Sequence, residues 1–217
     1  MSNPMSDASE MARLSRSVRA TYERQAEAWD RARNRSLFER AWLERAVADV
    51  PPGGSVLDLG CGGGEPIASW LIAQGYDVTG VDFAAPMLRI AKRRFPDARW
   101  VLADMTTLSL GCSFDAVIGW GSFFHLTQQA QRAALPRIAD HVAEGGRLLL
   151  TVGPADGEIT GTVAGETVYH SSLAPDEYKA ILETAGMQCE DFVPEDPECT
   201  GHTLLLARRK ASARQKD

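Results

Sequence analysis

This 217-residue chain lacks paired cysteines at CxxC spacing, a histidine cluster, any long apolar run and a surplus of positive charge. Each absence removes a class of function. The four cysteines, Cys61, Cys112, Cys189 and Cys199, stand far apart, and the four histidines complete no zinc pattern. Neither a disulfide framework nor a metal site is expected. No apolar run approaches the roughly 18 residues of a membrane span. The opening MSNPMSDASE is polar and acidic, without the apolar stretch of a secretory signal. These absences point to a soluble protein of the reducing cytoplasm with no membrane partner. A formal charge of −6 gives no general attraction to phosphate backbones, so nucleic acid is not the expected partner. Oligomeric state has no signature in the sequence. An apolar fraction of 44% argues against a mainly disordered chain, and the length suits one well-cored domain with additions.

What is present is organised. Residues 1–10 read as a disordered start, and 209–217 as a disordered, charged tail. Between them, Leu14, Val18, Tyr22, Ala26 and Trp29 recur at helical spacing, as do Phe38, Trp42, Ala46 and Val50. Residues 11–50 therefore form a helical cover. From 51 to 208 short apolar runs alternate with helical patterns: SVLDLG, IASWLIAQG, YDVTGVD, APMLRIAKRRF, ARWVLAD, SFDAVIGW, a helix over 127–143 irregular at Pro136, and GGRLLLTVG. That alternation implies crossover units and a parallel sheet. A Gly-rich excursion follows, GPADGEITGTVAGETVYHSS, read as a long functional or mobile loop. A helix, APDEYKAILETAG, and two strands, QCEDFVPE and GHTLLLARR, close the chain as an antiparallel hairpin. The fold class is α/β, a doubly wound Rossmann-like sheet of about seven strands.

The strongest motif is VLDLGCGGGEP, residues 56–66, where the first strand meets a helix. Asp58, Gly60, Gly62 and Gly64 fall at alternate positions, D-x-G-x-G-x-G. Glycines there let a ligand approach the backbone. A dinucleotide site, as in an NAD(P)-dependent oxidoreductase, uses G-x-G-x-x-G/A. In that phase position 65 is Glu65, an acid where a pyrophosphate must bind. A ligand with an amino group and a sulfonium, such as S-adenosyl-L-methionine (SAM), tolerates it. Asp82 ends the second strand, placed to accept from ribose hydroxyls. Asp104 ends the third, where its carboxylate can meet an adenine amino group and the Met105 amide a ring nitrogen. FDAVIGWGSFFHL, with Trp120, ends the fourth.

Together these residues resemble the class I SAM-dependent methyltransferase family, over roughly residues 14–208. VLDLGCGGG is similar to its first motif, VDF to its ribose acid, ADM to its adenine site. The resemblance implies a seven-stranded sheet with an antiparallel last strand. It implies a cofactor set of Asp58 with the Gly60, Cys61 and Gly62 backbone at the methionine moiety, and Phe83 and Met87 at the adenosine. Asp82, Asp104, Met105 and Trp120 complete it. YERQAEAWD resembles the family's N-terminal helix that folds over the cofactor, making Tyr22 and Trp29 lid candidates. GWGS stands where adenine-amino methyltransferases carry NPPY, which disfavours that substrate class.

The expected reaction moves a methyl group to an O, N or S nucleophile of a small molecule, leaving S-adenosyl-L-homocysteine. A SAM-binding module without catalysis is a second reading. His125, past the fourth strand, is the candidate base; the competing reading wedges it among Phe123, Phe124 and Leu126. Tyr169 and His170, in the excursion, are candidates for the acceptor side. His141 is expected to cap a helix, His202 to be structural, and Arg31, Arg33 and Arg35 to form a solvated turn.

Overall fold

The structure, a computed structural model, describes residues 4–211. A long helix, α1 (Pro4–Ala32), leads into a short one, α2 (Arg40–Ala46). There follow β1 (Ser55–Leu59), α3 (Ile67–Ala73), β2 (Asp77–Asp82), α4 (Ala85–Arg94), β3 (Arg99–Leu102) and β4 (Phe114–Gly119). The chain continues through α5 (Gln128–Asp140), β5 (Val142–Val152), β6 (Gly157–Val163), β7 (Glu166–Ser172), α6 (Pro175–Thr184), β8 (Met187–Asp196) and β9 (His202–Arg209). Seven strands form one sheet in the order β3-β2-β1-β4-β5-β9-β8. β1 to β5 are parallel neighbours, while β9 runs antiparallel to both β5 and β8. The expected seven-stranded sheet with an antiparallel last strand is present.

Alternation along each strand divides the core. Leu57, Leu59, Val117, Leu148 and Leu150 pack with Leu135 and Ile138 of α5 and Tyr178 and Leu182 of α6. Their neighbours Val56, Ala116, Ile118 and Leu149 face the other way, toward Trp42, Leu43, Leu71 and Leu88 of α2, α3 and α4. Each such side chain contributes roughly 1.5–3 kcal/mol by leaving water. The sheet is therefore clamped on both faces, which leaves its C-terminal edge as the place where open α/β sheets hold ligands.

Three expectations need correction. The first helix begins at Pro4, inside the stretch expected to be disordered; residues 1–3 lie outside the described residues. β9 runs to Arg209, and of the expected tail residues 212–217 lie outside the described ones. The helix over 128–140 runs through Pro136 as one element.

The excursion is not a loop. β6 and β7 pair antiparallel from Gly157↔Ser172 to Val163↔Glu166, and Ala164 and Gly165 turn between them with φ of +47° and +85°. Two positive φ values make the two-residue connection whose twist matches the strands. β-Branched residues at Ile159, Thr160, Thr162, Val163, Thr167 and Val168 supply the strand preference.

Candidate functional site

One cavity of about 240 Å³ opens at the C-terminal edge of β1, β2 and β4. It is roofed by α1 and walled on one side by the hairpin. Small-ligand sites typically measure roughly 300–1,000 Å³, so this one lies just below that range.

The floor is the turn after β1. Gly60 has φ +74°, and a Cβ there would stand 2.3 Å from that of Ser122. Only glycine fits. Gly62 has φ +53°, and the ring of Trp29 lies about 3.1 Å from where its Cβ would be. Asp82 is buried. Its two oxygens accept from the Gly62 amide at 3.0 Å and the Ala84 amide at 2.7 Å, holding turn and strand in register. Burial pushes its carboxyl up to about 6, against the pull of those amides. Asp58 is 3% exposed, lines the same cavity, and is pushed up to about 7 by burial and then by the nearby Asp82 charge. The site therefore gathers two buried carboxylates that resist ionising together.

The roof comes from one face of α1. Tyr22, Ala26 and Trp29 pack on Phe83, Ala84 and Met87, with the Tyr22 ring edge-on to Phe83 at 5.9 Å and to Trp29 at 6.1 Å. Both lid candidates thus lie over the cavity. Two clamps hold α1 down. At one end Asp30 pairs with Arg94 of α4 through two contacts of 2.5 and 2.6 Å, and with Arg35 at 3.2 Å. At the other, Glu166 of the hairpin accepts from Thr21, Arg24 and Gln25 at 3.2, 2.6 and 2.7 Å.

His125 sits where β4 ends, buried. Its Nδ1 is 3.0 Å from the carbonyl oxygen of Tyr169, which can only accept, so Nδ1 carries the ring hydrogen. Nε2 is then the acceptor, and the Tyr22 hydroxyl donates to it at 2.8 Å. Burial drops the imidazole to about 4, so it is neutral at physiological pH. The same desolvation raises the Tyr22 hydroxyl well above its ordinary value. His170 reaches the cavity from β7, its ring 4.8 Å from that of His125, and burial also lowers its basicity.

Not every expected residue is at the cavity. Tyr169 and His170 are neighbours on a strand and point to opposite faces. The Tyr169 ring packs with Leu14 and Val18 of α1 and its hydroxyl donates to Glu158, so Tyr169 contributes a carbonyl alone. Asp104 stands outside the cavity walls and caps a 3-10 turn, accepting from the Thr106 amide at 2.8 Å and hydroxyl at 2.7 Å. The Met105 side chain is buried in the core beside α5. Gly60, Cys61, Gly62, Phe83, Met87 and Trp120 all line the cavity.

Glu65 and Arg33 also differ from expectation, whereas Arg31 and Arg35 are exposed as expected. Glu65 pairs with Arg35 at 2.6 Å and lies 3.5 Å from Arg94, so it is neutralised and belongs to the lid clamp. The negative charge facing a ligand is that of Asp58 and Asp82. Arg33 is no solvated turn: it lines the cavity and bonds the fully buried Glu39 at 2.5 Å. His141 caps α5 as expected, through Arg137. His202 lines the cavity next to Trp120, whose Nε1 is buried without a hydrogen-bond partner among the described residues. Ser122, Phe124, Thr162 and Val163 complete the walls. Alternation from His170 would have found Val163 on the same face had the strands been recognised.

Residues 56–146 match the model of a methyltransferase domain. The methyltransferase GfsG of Streptomyces halstedii is 30% identical over 199 residues, 84% of this chain and 68% of that protein. The dTDP-3-amino-3,6-dideoxy-α-D-glucopyranose N,N-dimethyltransferase of Streptomyces fradiae is 42% identical over 98 residues, 44% of this chain and 38% of that protein. The match takes in about half of the mycobacterial relatives, 47% of their length. The SAM-bound structure of CalS10, an amino pentose methyltransferase from Micromonospora echinaspora, superposes with a TM-score of 0.67 at 26% identity, covering 85% of this chain and 96% of that one. With its glycine turn, its seven-stranded sheet and these relatives, the chain belongs to the class I SAM-dependent methyltransferase family.

Proposed function

We propose that this chain transfers the methyl group of SAM to an O, N or S nucleophile of a small molecule. The observation that carries the reading is the pair of buried carboxylates, Asp58 and Asp82, facing one cavity that also holds the acceptor nitrogen of a neutral histidine. A sulfonium and an ammonium suit such a charge; a pyrophosphate does not. In this reading Asp82 accepts from the ribose, Asp58 meets the amino group, and Phe83 and Met87 flank the adenosine. Trp120 Nε1 and Arg33 face the carboxylate at the far end. Asp104 and Met105 have no part in the cavity as it stands.

When bound, SAM supplies a methyl already activated by its sulfonium. The chain's own task is alignment, exclusion of water and disposal of a proton. Trp29 and Tyr22 close the roof. His125 holds its Nε2 lone pair toward the cavity, fixed by the Tyr169 carbonyl behind it, and takes the proton as the acceptor's nucleophile forms its new bond. The Tyr22 hydroxyl occupies that lone pair in the closed site and gives way to, or relays from, the acceptor.

The test is turnover: labelled SAM incubated with fractionated metabolite extract should yield S-adenosyl-L-homocysteine together with a labelled small molecule. Tight SAM binding with no turnover over any fraction would favour the binding-module reading instead.

A further inference from the structure

We propose that the acceptor is an uncharged molecule with a flat, largely apolar body, which offers one O–H or N–H to His125, and that the β6–β7 hairpin selects it. This rests on the methyl-transfer reading above. We take the part of the cavity lined by Phe124, His125 and His170 as the acceptor lobe; its wall is a cluster of rings. Phe124 and His170 stand 4.5 Å apart, His125 and His170 4.8 Å, Phe124 and His125 4.9 Å between ring centres. Val163, on the His170 face of the hairpin, adds its methyl groups. Planar ligands meet such walls through offset or edge contacts.

The charge inventory points the same way. The described residues lining the cavity include three carboxylates, Asp58, Glu65 and Asp82, and one guanidinium, Arg33. That guanidinium is held by Glu39, and Glu65 by Arg35. Both imidazoles of the acceptor lobe are driven toward neutrality by burial. A diphosphate needs cations or a row of free amides, and a charge buried without a partner is strongly disfavoured. The lobe therefore suits a neutral partner, unlike the nucleotide-linked amino sugar named for the Streptomyces fradiae relative. In the transfer, the acceptor's lone pair forms the bond to the methyl carbon as the carbon–sulfur bond breaks onto sulfur. The acceptor's proton goes to Nε2 of His125 and from there to solvent.

Calorimetry with S-adenosyl-L-homocysteine comes first and tests the cofactor reading by itself. The chain loaded with S-adenosyl-L-homocysteine is then offered 2-naphthol and related neutral phenols and arylamines, against thymidine diphosphate and a dTDP-amino sugar. The same compounds are offered with labelled SAM. We expect the neutral aromatics to bind and at least one to be methylated, with no competition from thymidine diphosphate. His170→Asp should weaken their binding about tenfold or more, because it buries an unpaired charge in the ring wall. Affinity for S-adenosyl-L-homocysteine should be retained. If that variant does not fold, Val163→Asp asks the same question from the neighbouring strand. Methylation of the dTDP-amino sugar in preference to every neutral aromatic overturns the proposal, as does binding of S-adenosyl-L-homocysteine with no binding of any aromatic.

Discussion

Asp58 makes cofactor binding a proton-linked event. Its carboxyl rises from the usual 3.8 to about 7, first through burial and then through Asp82. Holding it ionised in the ligand-free chain costs about 4 kcal/mol. A bound ammonium removes that cost, so binding selects the ionised form. With a carboxyl near 7, about one molecule in eleven is ionised at pH 6 and about ten in eleven at pH 8. Affinity for S-adenosyl-L-homocysteine should therefore fall about tenfold from pH 8 to pH 6. Asp82, at about 6, adds about a further twofold at the acid end. The folded chain holds this proton more tightly than the unfolded chain. Ligand-free stability contributed by Asp58 is thus present on the acid side and is lost as pH climbs from about 4 through about 7. Asp58→Asn should flatten the pH dependence of binding, weaken binding at pH 8, and stabilise the ligand-free protein there by up to about 4 kcal/mol. Calorimetry in buffers of differing ionisation enthalpy counts the proton released, and thermal melts follow the stability. Affinity that is level from pH 6 to 8 with no proton release would refute the reasoning.

Three further outcomes are expected. Asp82→Ala removes charge-assisted hydrogen bonds of roughly 1.5–3 kcal/mol and should weaken S-adenosyl-L-homocysteine about ten- to a hundred-and-fifty-fold by calorimetry. His125→Ala should slow methyl transfer about 10²–10⁴-fold while cofactor affinity holds; with the imidazole at about 4, the wild-type rate at saturating substrates should show no histidine titration between pH 5.5 and 8. Arg94→Ala leaves the Asp30 carboxylate with Arg35 alone and should cost about 1 kcal/mol, because Arg94 is partly exposed and one partner remains. Faster hydrogen exchange in α1 would register it.

The central sheet was legible because its signals are local and repeated. VLDLG, VTGVD and DAVIG are apolar runs ending on glycine or aspartate, and each marks a strand of the sheet. The glycine turn and Asp82 were legible because a backbone that cannot carry a Cβ leaves a mark in the sequence. The hairpin was not. Its turn residues are Ala164 and Gly165 rather than Asn-Gly, and Gly157 and Gly161 interrupt its first strand, so loop composition outweighed alternation. Glu65 and Arg33 misled because their partners, Arg35 and Glu39, are fixed by the path of the chain after α1. Tyr169 was a matter of facing, which a stretch taken for a loop cannot supply.

Glu166 ties the roof over the cofactor to the wall beside the acceptor, through three hydrogen bonds from one helix face. The two covers are mechanically one part. Lifting α1 from Phe83 and Met87 to let S-adenosyl-L-homocysteine out draws the hairpin, and His170 with it, away from Phe124. Both products then leave through a single opening, and neither substrate can be exchanged while its counterpart stays enclosed. If the chain turns over as proposed, this one opening and the Asp30 clamp at the far end of the helix should bear on product release, and Arg94→Ala should then change the rate of release.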